Sequence, residues 1–269
     1  MSERTIPANH NPRAPFYLAL DESLRRREMR LDQICCLDDA VSRRVLEDYG
    51  AVFVAASSVR IPPACMFSGE EEVRAFQDAA GVGIATLGDV EFELQPAAAN
   101  ALLDARDEVR REGFEITPRG GVEAARRGFD DTLRLWHSRV QPALEYWCAR
   151  GRLAPERADD LRRLAPCEQV SAVLELEVEG IFFSKDFSKS VLYSVAAPGT
   201  SQHLSMLAFD VAEFREPAVR RALASHGWFQ TVIGDLPHFT FIGREEQQLA
   251  AHGLRRVKAD GQVFWIPDV

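Results

Sequence analysis

Apolar positions in the middle of the chain repeat with the period of an α-helix. Phe129, Leu133, Trp136, Val140, Leu144 and Trp147 follow one another at intervals of four, three, four, four and three residues. This places them on one face and predicts a long buried helix, with a kink at Pro142, where proline removes a helical hydrogen bond. The stripe reads as core and not as a cofactor box. Residues 96–113 carry proline at a first helical position and glycine just past the end, the asymmetry expected of helix termini. Further helices are expected over 155–164, around 168–176, and from Pro217 to Gly227. Ser68 and Glu71 have the spacing of a capping box that opens a helix through Phe76. Residues 24–49 are charge-rich and helix-compatible, whereas the first 20, with Pro7, Pro12 and Pro15 among few apolar positions, suggest an unpaired arm or strap.

The remaining apolar runs are short. Residues 51–55 read as a buried strand and 114–118 as a brief extended run into Gly120-Gly121. After Gly180 the texture turns to β, with runs at 181–183, 191–195, 207–211, 231–233 and 239–242. The tail from Arg244 reads as a helix, turn and strand packed on the domain. Helices first and short, tightly linked strands afterwards argue an α+β fold in which helices flank a central antiparallel sheet.

Composition narrows the function. The 269 residues are 46% hydrophobic and 27% charged, enough for a packed core in one elaborated domain or two small ones. Acidic residues outnumber basic ones by 41 to 32, a net charge of -9, the wrong sign for a protein that neutralises phosphates, so nucleic acid is not expected as a partner. No stretch approaches the roughly 18 apolar residues of a membrane helix. The opening residues lack the basic-then-apolar signature of a secretory signal, so a cytoplasmic location is expected, with a periplasmic or wall-associated one left open. Cys35, Cys36, Cys65, Cys148 and Cys167 form no C-x-x-C pair and read as reduced, mostly buried thiols.

The chemistry concentrates in two β-rich runs. His203 lies seven residues before Asp210, and His238 three after Asp235. Two imidazoles and a carboxylate can hold zinc through three protein ligands and leave a fourth position open, while a further carboxylate nearby can take a proton from water. A separation of seven does not place His203 and Asp210 on one face of a straight strand, so a loop-to-strand bend must bring them together.

The segments Pro198-Gly199-Thr200-Ser201-Gln202-His203, Ala208-x-Asp210 and Asp235-x-x-His238 resemble the Ser-x-His-x-x-Gly-x-Ala-x-Asp and Glu-x-x-His signatures of the zinc D-alanyl-D-alanine carboxypeptidases and dipeptidases. That family shares its fold with the lysostaphin-type peptidases and the hedgehog signalling domain. The resemblance covers residues 94–243, leaving 1–93 as an extension of mixed helix and strand and 244–269 as a C-terminal addition. It implies one zinc per chain on His203, Asp210 and His238, with Asp235 where the family has its glutamate base. Arg127, in Arg127-Gly128-Phe129-Asp130-Asp131-Thr132, aligns best with the family's substrate or oxyanion arginine; Arg119 and Arg126 are the alternatives. Ser201 is placed to touch substrate or to cap its turn. The implied substrate is a short peptide or peptidoglycan stem peptide with a D-amino acid near its C-terminus.

Three departures stand out: Met206 for the family glycine, Asp235 for glutamate, and Pro237 before the last ligand. A carboxylate shorter by one methylene is displaced by about 1.5 Å, enough to slow a reaction by about a hundredfold if nothing compensates. A zinc-binding module of this fold that recognises a peptide or protein without hydrolysing it is therefore the competing expectation.

Overall fold

The computed structural model describes residues 11–269. The expected N-terminal arm lies partly outside the described residues, and its inner part is helical. Pro15 opens α1 (Pro15–Arg25), which buries Phe16, Tyr17, Leu20 and Leu24. α2 (Leu31–Ile34) and α3 (Ala40–Tyr49) occupy the charge-rich stretch that follows. Residues 51–55 are not a strand: Gly50–Val54 continue from α3 as a buried 3-10 turn. A five-residue apolar run has no usable period, and its neighbours decide its form.

α4 (Glu70–Ala80) begins near the expected cap, but Ser68 pairs one residue further on, its backbone N and hydroxyl both donating to Glu72 at 2.7 Å. α5 (Pro96–Arg111), α6 (Phe129–Ala149), α7 (Pro155–Arg163), α8 (Pro166–Val178) and α9 (Pro217–Ser225) fall where the sequence places helices. α6 runs on through Pro142. Glu70 accepts the Phe129 amide at 2.6 Å, a carboxylate at the positive end of α6.

The strands form small antiparallel sheets, so α+β holds in that form. β1 (Gly83–Leu87) and β2 (Val90–Leu94) make a hairpin. β3 (Ala208–Asp210), β4 (Trp228–Phe229) and β5 (His238–Phe241) make a three-stranded sheet in the order β3-β5-β4. β6 (Leu254–Ala259) and β7 (Gln262–Pro267) pair across Asp260-Gly261, both at positive φ, so the tail is two 3-10 turns and a hairpin and not the expected helix and strand. The runs at 181–183, 191–195 and 231–233 are not strands. In the first two the Glu177 carboxylate accepts the Phe183 and Val191 amides at 3.3 and 2.6 Å, taking the place of a ladder partner.

One core cluster joins Phe16 of α1, Phe92 of β2, Leu102 of α5, Phe209 of β3, Phe239 of β5 and Trp265 of β7. Residues 11–93, 94–243 and 244–269 thus all contribute to it. A second cluster gathers α3, α6, α7 and α8 around Tyr49, Trp136, Val140 and Val173. A third, with Phe67, Phe76, Phe129 and Leu204, backs the turn that carries His203. Among the described residues no helix is long and apolar enough to cross a membrane. The five thiols are unpaired, but only Cys35 is buried and Cys36 and Cys167 are exposed, contrary to the expectation of mostly buried thiols.

Candidate metal centre

Sheet register brings two of the three expected ligands together, since Asp210 of β3 and His238 of β5 are direct cross-strand partners. The third comes from a bend of the anticipated kind. His203 sits in a 3-10 turn, Gln202–Ser205, which Met206 ends with φ 55° and ψ 30° before β3 begins. Met206 stands where the resembling family has glycine, and it adopts the left-handed backbone that glycine adopts freely.

The three facing atoms form a near-regular triangle. His203 Nε2 lies 3.1 Å from His238 Nδ1, and Asp210 Oδ1 lies 3.3 Å from each. The side chains are 1, 5 and 13% exposed for His203, His238 and Asp210. Donors about 2.0–2.1 Å from a tetrahedral zinc lie about 3.3–3.4 Å apart, close to these edges. The hydrogen-bond pattern points the same way. His203 Nδ1 donates to Ala125 O at 2.7 Å, leaving Nε2 a lone pair, and Asp210 Oδ1 is buried without a hydrogen-bond partner among the described residues. A buried oxygen left unmatched beside a nitrogen lone pair costs free energy unless a cation lies between them. The group can hold a metal ion, and it is the one such group of His, Cys, Asp and Glu among the described residues.

Electrostatics hold the ligands in binding form. Burial pushes His203 down to about 4, against the attraction of Asp210, so its ring is neutral. Burial alone would raise Asp210, but the proton that it and the two imidazoles compete for resides on the rings and not on the carboxylate, which stays well below its usual range. Arg127 Nη2 donates to Asp210 Oδ2 at 2.6 Å and balances the charge from the other side. Neutral imidazole and ionised carboxylate are the forms that ligate metals.

Arg127 therefore reaches the centre by gripping a ligand, and its Nε donates to Glu123 O at 2.9 Å. Arg126 is committed to Glu93 and Gln77. Arg119 runs beside β3, its amide donating to Asp210 O at 2.8 Å, while its exposed guanidinium lies 5.4 Å from the Phe214 ring centre and makes no ion pair among the described residues. Asp235 lies in the turn before β5, open to water yet crowded by protein. That crowding raises its carboxyl, with Asp210 adding and His238, Arg127 and Arg119 opposing. Ser201 opens the His203 turn, but its side chain makes no cap bond.

Three buried glutamines, which the sequence reading missed, hold the ligand loop. Gln77 Nε2 donates to Arg127 O and Leu204 O at 2.9 and 3.1 Å. Gln95 Nε2 donates to Arg60 O and Ser205 O, both at 2.8 Å. Gln202 Nε2 donates to Tyr49 O at 2.8 Å, and its Oε1 lies 2.8 Å from His238 Nε2. Gln77 carried a readable signal, since it falls on the apolar stripe of Val73, Phe76 and Ala80; the other two carried none. No protein-family model matches the chain, and no curated protein is significantly similar to it.

Proposed function

We propose that the protein is a zinc-dependent metallopeptidase of D-alanyl-D-alanine carboxypeptidase type that hydrolyses a peptide bond near the C-terminus of a short cell-wall-type peptide. The observation that carries the reading is the buried triangle of His203 Nε2, His238 Nδ1 and Asp210 Oδ1, whose residues occupy the ligand positions of the resembling motif. Three protein donors leave a zinc ion an open position, the arrangement of catalytic and not of structural sites.

Zinc bound there supplies Lewis-acid polarisation of the scissile carbonyl and a more acidic water. The chain supplies the rest. Asp235, raised by its surroundings and reachable by water, accepts the proton lost by the attacking water and returns it to the leaving amine. Arg127 keeps Asp210 ionised, as its short contact with Oδ2 supports. Arg119, unpaired among the described residues and close enough to act on Asp235, receives the substrate carboxylate and offsets the repulsion from Asp210 and Asp235.

The test is metal analysis followed by assay on D-alanyl-D-alanine and stem peptides. One zinc per chain with turnover is expected, and His203→Ala should empty the site. Stoichiometric zinc surviving in that variant would falsify the ligand assignment. The shorter Asp235 and the engagement of Arg127 favour the competing reading, a non-hydrolytic zinc-binding module. Full zinc occupancy without turnover on any of these peptides would establish that reading instead.

A further inference from the structure

Gln202 stands between the N-terminal segment and the metal centre. Its Nε2 donates to Tyr49 O, a carbonyl that only accepts, so its Oε1 must face His238. There it receives the His238 Nε2 proton at 2.8 Å and the Thr240 hydroxyl, with Thr231 Oγ1 at 3.2 Å. The amide turned over would set oxygen against the Tyr49 carbonyl and an N–H against an N–H. All of these groups are buried, so water does not blur the choice.

We infer that Gln202 is a positioning residue that keeps the single ring proton of His238 on Nε2, and that Tyr49 of the N-terminal segment gives it the orientation to do so. The inference rests on reading the triad as a metal centre. The opposing pull is visible in the site itself. A proton on His238 Nδ1 would find His203 Nε2 at 3.1 Å and the unpartnered Asp210 Oδ1 at 3.3 Å. Without the Gln202 carbonyl, Nε2 keeps only the Thr240 hydroxyl at 3.4 Å, a long contact, so the metal-free protein gains by moving the proton to Nδ1, where it blocks the third donor and must leave before a cation binds. Groups that fix the tautomer of a ligating histidine are worth about 10–100-fold in metal affinity. His203 has its own such partner in Ala125 O, so the two histidines are set independently. The N-terminal segment thereby contributes to the metal centre through Tyr49 without supplying a ligand.

The experiment compares wild type, Gln202→Met and Gln202→Glu by nitrogen NMR of the histidine rings, in metal-free protein at mildly alkaline pH, and by zinc titration against a competing chelator. Wild type should carry the His238 proton on Nε2. Q202M should carry it on Nδ1 and bind zinc about 10–100-fold more weakly. Q202E, which keeps an oxygen facing the ring and, as a buried neutral acid, a hydroxyl donor for Tyr49 O, should restore the Nε2 proton and most of the affinity. The His203 signal, held by Ala125, should be unchanged in each and reports that the site is folded; should Q202M lose it, the Q202E ring proton decides. A folded Q202M that keeps the proton on Nε2 and binds zinc as wild type does overturns the inference. Wild-type protein with no affinity for zinc overturns the metal reading instead, and the ring-proton comparison, made without metal, then decides the role of Gln202 alone.

Discussion

Gly199 shows how a single position can hold the site. Its φ is +80°, and a Cβ there would lie 2.1 Å from the backbone oxygen of Phe67. The close approach lets Phe67 N donate to Gly199 O at 2.9 Å and seats the strap before α4 against the turn that carries His203. Gly199→Ala meets both a left-handed backbone and an immovable carbonyl, so it should cost about 3 kcal/mol or more. Urea midpoints of the two proteins measure this, and a loss below about 1 kcal/mol would show that the strap gives way. Glu177 provides a second test at this scale. Burial raises its carboxyl from 4.5 to about 7, against the pull of the amides it accepts and of Arg44. A raised acid is protonated in the folded chain where the unfolded chain has already ionised. Its contribution is therefore fully present below about 4.5 and is lost as pH rises through about 7, a change of about 3 kcal/mol. Glu177→Gln keeps an acceptor for the amides of Phe183 and Val191 but does not titrate, so the variant's stability should fall less than wild type's across that window. Parallel denaturation curves at every pH would refute the assignment.

Among the elements, α6 links the second core cluster to the metal centre. Trp136 is fully buried in it, and its indole N–H donates to Gln169 Oε1 of α8 at 2.7 Å. Just before the N-terminus of α6, about two turns from Trp136, lie Gly128, under the Glu70 carboxylate, and Arg127, which grips Asp210. Trp136→Ala should cost about 3–5 kcal/mol, as large-to-small changes in cores do, and leave Gln169 with an unpaired oxygen. Calorimetry or urea titration gives the figure. A loss under 1 kcal/mol would mean that α6 and α8 close over the hole. The bracketing glutamines act between elements in the same way: Gln77 of α4 and Gln95 before α5 both bond carbonyls of the ligand loop, and each amide satisfies two groups that would otherwise be buried unpaired.

For the whole molecule, the shared core predicts that the segments do not separate. A chain lacking residues 1–93 would expose the faces that α1 and β2 cover and lose the amides of Gln77 and the carbonyls of Tyr49 and Arg60, so it should fail to fold. Dispersed amide NMR signals from that truncation would contradict the shared-core account. Metal should also stabilise the intact protein, because a ligand that binds only the folded state adds about 4 kcal/mol at a thousand times its Kd. Chelation should accordingly lower the thermal midpoint of wild type and leave His203→Ala unmoved. Equal midpoints with and without chelator in wild type would argue against a metal centre.

The sequence by itself determined the helices with strong periodicity or end signals. α5 to α9 stand where their prolines, glycines and apolar spacing put them, because those signals are local. It also nominated His203, Asp210 and His238, and the structure brings them within bonding distance of one cation. The short runs at 51–55, 181–183, 191–195 and 231–233 were beyond it, since a few adjacent apolar residues are equally at home in a strand, a 3-10 turn or buried coil. Asp260-Gly261 carries the turn chemistry of the last hairpin, a local signal that the expectation of a helix, turn and strand in the tail passed over. What only the tertiary structure decided is the environment of the candidate site: that Arg127 grips Asp210, that Arg119 is left without an ion pair among the described residues, and that Tyr49, Gln202 and Ala125 set the two imidazoles. These contacts join residues between 36 and 153 positions apart. Hydrogen-bond direction at such separations depends on how elements pack, and no local pattern of residues encodes it.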